Sequence, residues 1–278
     1  SILLSLSALL LRTLKWKLLL QGVSFLELLP IQTLGMAISN LTPGKVAEPV
    51  KALILRSAKQ VPVARSLPTI IWERVLDLLV LLLLASFSFY HFTSHFWFAP
   101  LVFPIFLAII ALLLASLKVE RIGKLALRIC KFFRLKLDER FLRTFYTSKV
   151  KPKRIVASFF VTLVVWLLDG LVFYLCLLAI EAEINLGYIT IAAFWAFSLL
   201  AGLISSLPGG IGGSDAVMVL LLMMVGLERS VAGAGVLLAR ALTLGLGMLA
   251  GYLSLLYLRG RTKLFEAEAK LQFRSSKF

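Results

Sequence analysis

The sequence predicts an all-α, polytopic integral membrane protein built from two inverted repeats, and three observations carry that reading. The chain of 278 residues is 60% hydrophobic and only 16% charged. Its mean hydropathy of +0.96 lies far above that of ordinary globular domains. Several runs approach the roughly 20 apolar residues needed to cross a hydrocarbon layer about 30 Å thick. Two of those runs are broken at Pro-Gly in matching ways.

Taken in order, Ile2 to about Leu20 reads as a first span, although it carries Arg12, Lys15 and Lys17. It lacks a small-residue cleavage site and an initiating methionine, so a missing N-terminal piece is expected rather than a signal peptide. Phe25–Asn40 ends at Thr42-Pro43-Gly44 and resumes as an amphipathic stretch to Arg56. About Leu67–Tyr90 is the next span, with Glu73, Arg74 and Asp77 in its first half, and the uncharged connector His91–Phe98 leads to Ala99–Leu117. In 118–154, Arg121, Lys124, Arg128 and Lys131 recur at helical spacing opposite Ile122, Leu125, Ile129 and Phe132, which predicts a basic interfacial helix. Ile155–Ile180 is a further span around Asp169, followed by an acidic connector with Glu181 and Glu183. Tyr188–Leu207, the break Pro208-Gly209-Gly210-Ile211-Gly212-Gly213 and Ser214–Val225 form the second broken segment. Val231–Leu258 is the last span and 259–278 a basic tail.

The expected architecture is therefore one domain, 1–278, with five full spans and two re-entrant hairpins. Repeat 1 covers about 1–92 and repeat 2 about 99–258. The basic connectors and tail fall on one side when both broken segments are re-entrant, whereas 89–98 and 181–228 contain no lysine or arginine. Cytosolic loops accumulate these residues. A multi-pass cell (plasma) membrane protein with segment 118–154 and the C-terminus cytoplasmic is expected.

The net charge of +16 could suggest nucleic acid, yet the basic residues alternate with spans and have no separate soluble domain. Membrane lipids with anionic headgroups are the expected partners, a homodimer is possible, and nucleic acid is not expected. Cys130 and Cys176 have no motif partners. His91 and His95 share a helical face but read as interfacial aromatics beside Phe92, Phe96 and Trp97 rather than as metal ligands. No nucleotide loop, metal cluster or nucleophile grouping is visible, so no cofactor, metal or catalytic residue is expected and the chain reads as a non-enzyme.

Aligning the breaks exposes the repeat. Pro43-Gly44 is followed by Lys45, Glu48 and, in a later span, Arg74; Pro208-Gly209 is followed by Asp215 and Arg240, and the Pro-to-Arg separations differ by one residue. Interrupted helices at membrane depth are tolerated only where protein or water satisfies their backbone, and such breaks line transporter sites. Gly209, Gly210, Gly212 and Gly213 leave backbone amides open to a phosphate. Glu73 and Asp77 share a helical face, while Asp169 and Arg240 read as isolated intramembrane charges, which are costly and need partners or a function. Arg74 and Arg240 present planar forks suited to phosphate oxygens.

These residues carry a resemblance. Asn40-Leu41-Thr42-Pro43-Gly44-Lys45-Val46-Ala47-Glu48, Glu73-Arg74-Val75-Leu76-Asp77 and Leu207-Pro208-Gly209-Gly210-Ile211-Gly212-Gly213-Ser214-Asp215 with Arg240 resemble the lysylphosphatidylglycerol synthase transmembrane, or flippase-like, family. The likeness runs over nearly the whole chain and implies movement of lipids between leaflets. Three departures stand out: Ala47 where glycine is common, Asp215 where glutamate is common, and no preceding first span. The family's aminoacyl-transferase domain would follow the last span, and only the short basic tail remains there, so synthesis of aminoacyl lipid is not expected.

The function expected is translocation of a phosphate-bearing phospholipid or polyprenyl lipid, bound at Arg74, Arg240 and the two breaks. Glu48, Asp77, Asp169 and Asp215 are candidate proton carriers. The alternatives are a membrane protein that presents lipid to a glycosyltransferase without moving it, and a transporter of a soluble ion or drug.

Overall fold

A computed structural model describes residues 1–92, 99–118, 139–180, 182, 186–205 and 207–275. The helices in chain order are α1 (Ile2–Leu19), α2 (Phe25–Asn40), α3 (Val50–Lys59), α4 (Val63–Phe92), α5 (Ala99–Lys118) and α6 (Glu139–Thr147). After these come α7 (Pro152–Ala179), α8 (Tyr188–Ser205), α9 (Gly213–Met224), α10 (Arg229–Arg240), a π-helical turn (Ala241–Gly245) and α11 (Leu246–Ser275).

Local chemistry sets the boundaries. Glu27 Oε2 accepts from the Ser24 amide at 3.0 Å and from the Ser24 hydroxyl at 2.7 Å, a capping box that starts α2. Pro152 opens α7, where its missing N–H leaves no helical bond unmade. The carboxylate of Asp215 accepts from the Gly212 amide at 3.0 Å and caps α9. Between α2 and α3 the Thr42 hydroxyl donates to the Ser39 carbonyl at 2.8 Å and accepts from the Ala47 amide at 3.2 Å, ordering the first break.

Three helices described here are long and apolar enough to cross a membrane: Pro152–Ala179, Tyr188–Ser205 and Arg229–Gly260. The segment expected to be the first arm of the second hairpin is thus itself of spanning length, whereas α9 has 12 residues. The last of the three is not one regular helix. It runs through α10, the π turn and α11, so the region read as a tail from Arg259 begins in helical conformation. Of the expected interfacial helix only α6 is described, packed on α4 with Phe145 buried and Arg140 and Arg143 outward. Arg121, Lys124, Arg128, Cys130 and Lys131, like Glu181, Glu183 and the histidine pair's side chains, lie outside what is described.

In the packing, α1 lies on α7, α2 on α11 and α4 on α8, while α3 folds back on α2 and α9 on α8. The apolar core lies around α4, α7, α8 and α9, with Val75, Phe173, Phe194 and Leu222 fully buried. A smaller cluster around Trp16, Leu28 and Leu55 seats the first hairpin. The outer faces remain apolar, with Leu107, Phe160, Leu249 and Leu253 all exposed. Only 6% of the spanning window of the last helix is buried, so that helix presents an apolar face to lipid.

Without a hydrophobic drive between helices in lipid, close backbone approach at small residues holds the bundle. A Cβ on Gly170 would lie 2.7 Å from the Ala192 Cβ and 2.9 Å from its Cα, so α7 and α8 touch at their backbones. The substitution Gly170→Val should therefore cost about 1–3 kcal/mol by forcing these helices apart, read as a lowered thermal midpoint of the detergent-solubilised protein; an unchanged midpoint would refute the contact.

Candidate functional site

The site begins at the two breaks. Their backbones meet in an antiparallel bridge between Pro43 and Pro208, and a Cβ on Gly209 would stand 3.4 Å from the Asn40 carbonyl oxygen. Gly209 and Gly210 have φ of 63° and 71°, a left-handed turn that glycine adopts without cost. Each hairpin closes on a glycine. A Cβ on Gly35 would meet the Lys51 Cβ at 2.7 Å, and one on Gly202 would meet the Ser214 Cβ at 2.7 Å.

Around the first break the charges form a closed ring of alternating sign. Glu48 pairs with Lys51 at 3.0 Å and with Arg74 at 2.5 Å. Arg74 reaches Asp77 at 3.1 Å, Asp77 pairs with Lys15 at 2.7 Å, and Lys15 lies 3.8 Å from Glu73. A direct Lys51–Glu73 pair completes the circuit. Gln32 accepts from Lys51 at 3.2 Å, and the Trp166 indole donates to Asp77 at 3.1 Å. Lys51 and Glu73 are 0% exposed. Lone charges there would be prohibitive, and the closed circuit gives every one a partner.

Two further pairs complete the set. Arg12 of α1 bonds Asp169 of α7 at 2.5 Å. In the second half Arg240 Nε bonds Asp215 at 2.6 Å, and its guanidinium also donates to the Ser214 hydroxyl and, at 3.4 Å, to the Gly209 carbonyl. Three cations sit over tryptophan faces, Arg12 on Trp166, Lys51 on Trp16 and Arg240 on Trp195, at 4.8–5.5 Å, within cation–π range.

These groups surround a cavity of about 370 Å³. Of the residues expected in the site, Gly44, Lys45, Glu48, Glu73, Arg74, Asp77, Asp169, Gly209, Gly210 and Arg240 line it together. Pro43 and Pro208 form the bridge, while Gly212, Gly213 and Asp215 stand outside the lining, Asp215 acting through Arg240. The lining also includes apolar side chains, among them Leu6 and Leu9 from α1 and Phe106, Ile109 and Leu113 from α5. Among the described residues no group of three His, Cys, Asp or Glu side chains could hold a metal.

Sequence reasoning missed Arg12, Lys15, Lys51, Gln32, Ser214 and Trp195. Arg12 and Lys15 carried a usable signal, since two charges three apart inside an apolar run demand buried partners. Lys51 stands three residues after Glu48, a helical pairing distance. Nothing local connects Arg12 to Asp169. Arg74 and Arg240, expected to be free for a ligand, are both already held by carboxylates.

Removing one ring member opens the circuit and leaves one buried charge uncompensated, so Lys15→Met should destabilise the protein by about 3–5 kcal/mol. Arg12→Leu should do likewise, and adding Asp169→Leu should recover most of that loss. Thermal unfolding in detergent measures both, and a double variant no better than the single one would show that the pair is not a closed unit.

The matched model is described as the lysylphosphatidylglycerol synthase transmembrane region and covers residues 1–251. A UPF0104 membrane protein of Methanocaldococcus jannaschii is 28% identical over 269 residues, covering 88% of this chain and 80% of its own. One of Methanothermobacter thermautotrophicus is 27% identical, covering 83% and 76%, and one of Pyrococcus horikoshii is 24% identical, covering 85% and 79%. With its broken helices meeting at a charged cavity and its sequence matched from the first residue to Gly251, this multi-pass membrane protein belongs to the lysylphosphatidylglycerol synthase transmembrane-region family.

Proposed function

We propose that the chain moves a phosphate-bearing lipid between membrane leaflets. The observation that carries this reading is the mixed lining of the cavity: ion-paired charges and the two breaks together with apolar side chains of α1 and α5. A headgroup fits the first and acyl chains fit the second. A soluble inorganic ion has no use for the apolar lining.

In this reading the hairpins α2–α3 and α8–α9 are re-entrant elements of two inverted repeats, entering from opposite faces of the plasma membrane, with the basic segments on the cytosolic side. The repeats divide the work. Arg74 bridges two carboxylates in a closed ring, and its departure would leave the ring one cation short. Arg240 answers to Asp215 alone, whose side chain is 24% exposed. A headgroup phosphate competes with Asp215 for the Arg240 fork. The π turn immediately after Arg240 supplies a helix irregularity of the kind found at functional sites, and Thr243 and Leu244 within it line the cavity. The chain has no assigned chemistry of bond making in this scheme and acts as a transporter rather than an enzyme.

Purified protein in proteoliposomes should exchange a fluorescent phospholipid between leaflets without a partner. Arg240→Lys should slow exchange about tenfold or more, because it keeps a cation beside Asp215 but lacks the fork that grips a phosphate, with little change in thermal midpoint. Wild-type exchange by this variant would sink the proposed role of Arg240, and lipid bound by the native protein without exchange would favour presentation to a partner enzyme.

A further inference from the structure

Resting on the translocation reading above, we infer that the headgroup taken by this cavity is a phosphodiester carrying one negative charge, received by Lys45. Among the described residues, the cavity's charged groups and their ion-pair partners comprise six cations, Arg12, Lys15, Lys45, Lys51, Arg74 and Arg240. They face five carboxylates, Glu48, Glu73, Asp77, Asp169 and Asp215. Every carboxylate is ion-paired, and so is every cation but Lys45. One positive charge is left over.

Its setting singles it out. Among the described residues no carboxylate stands within ion-pair distance of the Lys45 ammonium, although it lines the same cavity as Glu48 and Asp77. Its backbone has φ of 58°, a left-handed conformation that glycine adopts freely and that strains a residue with a Cβ. A strained position that bears a long cationic side chain at a ligand cavity is one where the side chain serves a purpose. A second unmet group lies in the same lining: Trp195 is 3% exposed and its buried indole N–H has no acceptor. Ester and hydroxyl oxygens of a headgroup are acceptors for such a donor.

Charge arithmetic then selects the ligand class. A monoanionic diester brings the cluster to neutrality, which is favoured once the headgroup has displaced water from the part-exposed Lys45. A zwitterionic headgroup leaves the surplus in place. A dianionic monoester overshoots and sets a new negative charge among carboxylates whose cations are already taken. Free phosphodiesters share the relevant chemistry with lipids, and the apolar side chains in the lining favour the lipid as the source.

The test titrates the purified full chain at one pH, 7.4, followed by tryptophan fluorescence and native mass spectrometry, with dihexanoyl phosphatidylglycerol, phosphatidylcholine and phosphatidic acid. Dimethyl phosphate is the soluble diester. The monoanionic lipid should bind about tenfold more tightly than the other two. Lys45→Met should abolish that preference and Lys45→Arg should retain it. Equal affinity for all three lipids, or a preference surviving in Lys45→Met, overturns the assignment. Dimethyl phosphate binding as tightly as the monoanionic lipid supports the charge assignment while removing the lipid-translocation reading. Leaflet exchange indifferent to headgroup charge does the reverse.

Discussion

The closed ring of Glu48, Arg74, Asp77, Lys15, Glu73 and Lys51 is the constraint on which the rest of this protein depends. Each member would be expensive alone at membrane depth, and alternating closure gives each carboxylate two cations and each cation two carboxylates. Because the members come from α1, α3, α4 and the first break, closing the ring fixes those elements against one another. Gly35 lets α3 approach α2 closely enough for Lys51 to reach inward, and Trp16 covers the lysine with its ring. The first hairpin is thus held by side-chain charge as well as by apolar packing.

The second hairpin is built differently although its order of parts is the same. It has more glycine, a single carboxylate and one arginine whose other contacts are a hydroxyl and a backbone carbonyl. Its first arm, α8, lies against α4, whereas α2 lies against α11. One half therefore has its charges locked in a circuit and the other has a pair that a ligand oxygen can rival.

Polarity inside and apolarity outside are linked in this molecule. Membrane helices lacking a hydrophobic drive toward each other associate through close backbone packing and polar contacts, and here both operate, at Gly170–Ala192 and across Arg12–Asp169. The charges that make the cavity useful are the same ones that hold α1 to α7 and α4. The relatives are named only as membrane proteins, so the chemistry of the cavity, not the names, carries the functional reading.

The sequence by itself determined the membrane class, the boundaries of most described helices to within a few residues, the last one excepted, and the two Pro-Gly interruptions, because hydrophobic run length and backbone breakers are local properties. It also placed Glu73 and Asp77 on one helical face, and both do reach Lys15. Only the tertiary structure decided who neutralises whom. Arg12 and Asp169 stand 157 positions apart, and no local pattern couples them. The meeting of Pro43 with Pro208, the engagement of Arg74 and Arg240 by carboxylates and the irregular turn after Arg240 are equally matters of packing. Charge balance is a property of the assembled cavity: the sequence lists thirty basic residues, and only their folded pairing leaves Lys45 as the unmatched one at the site.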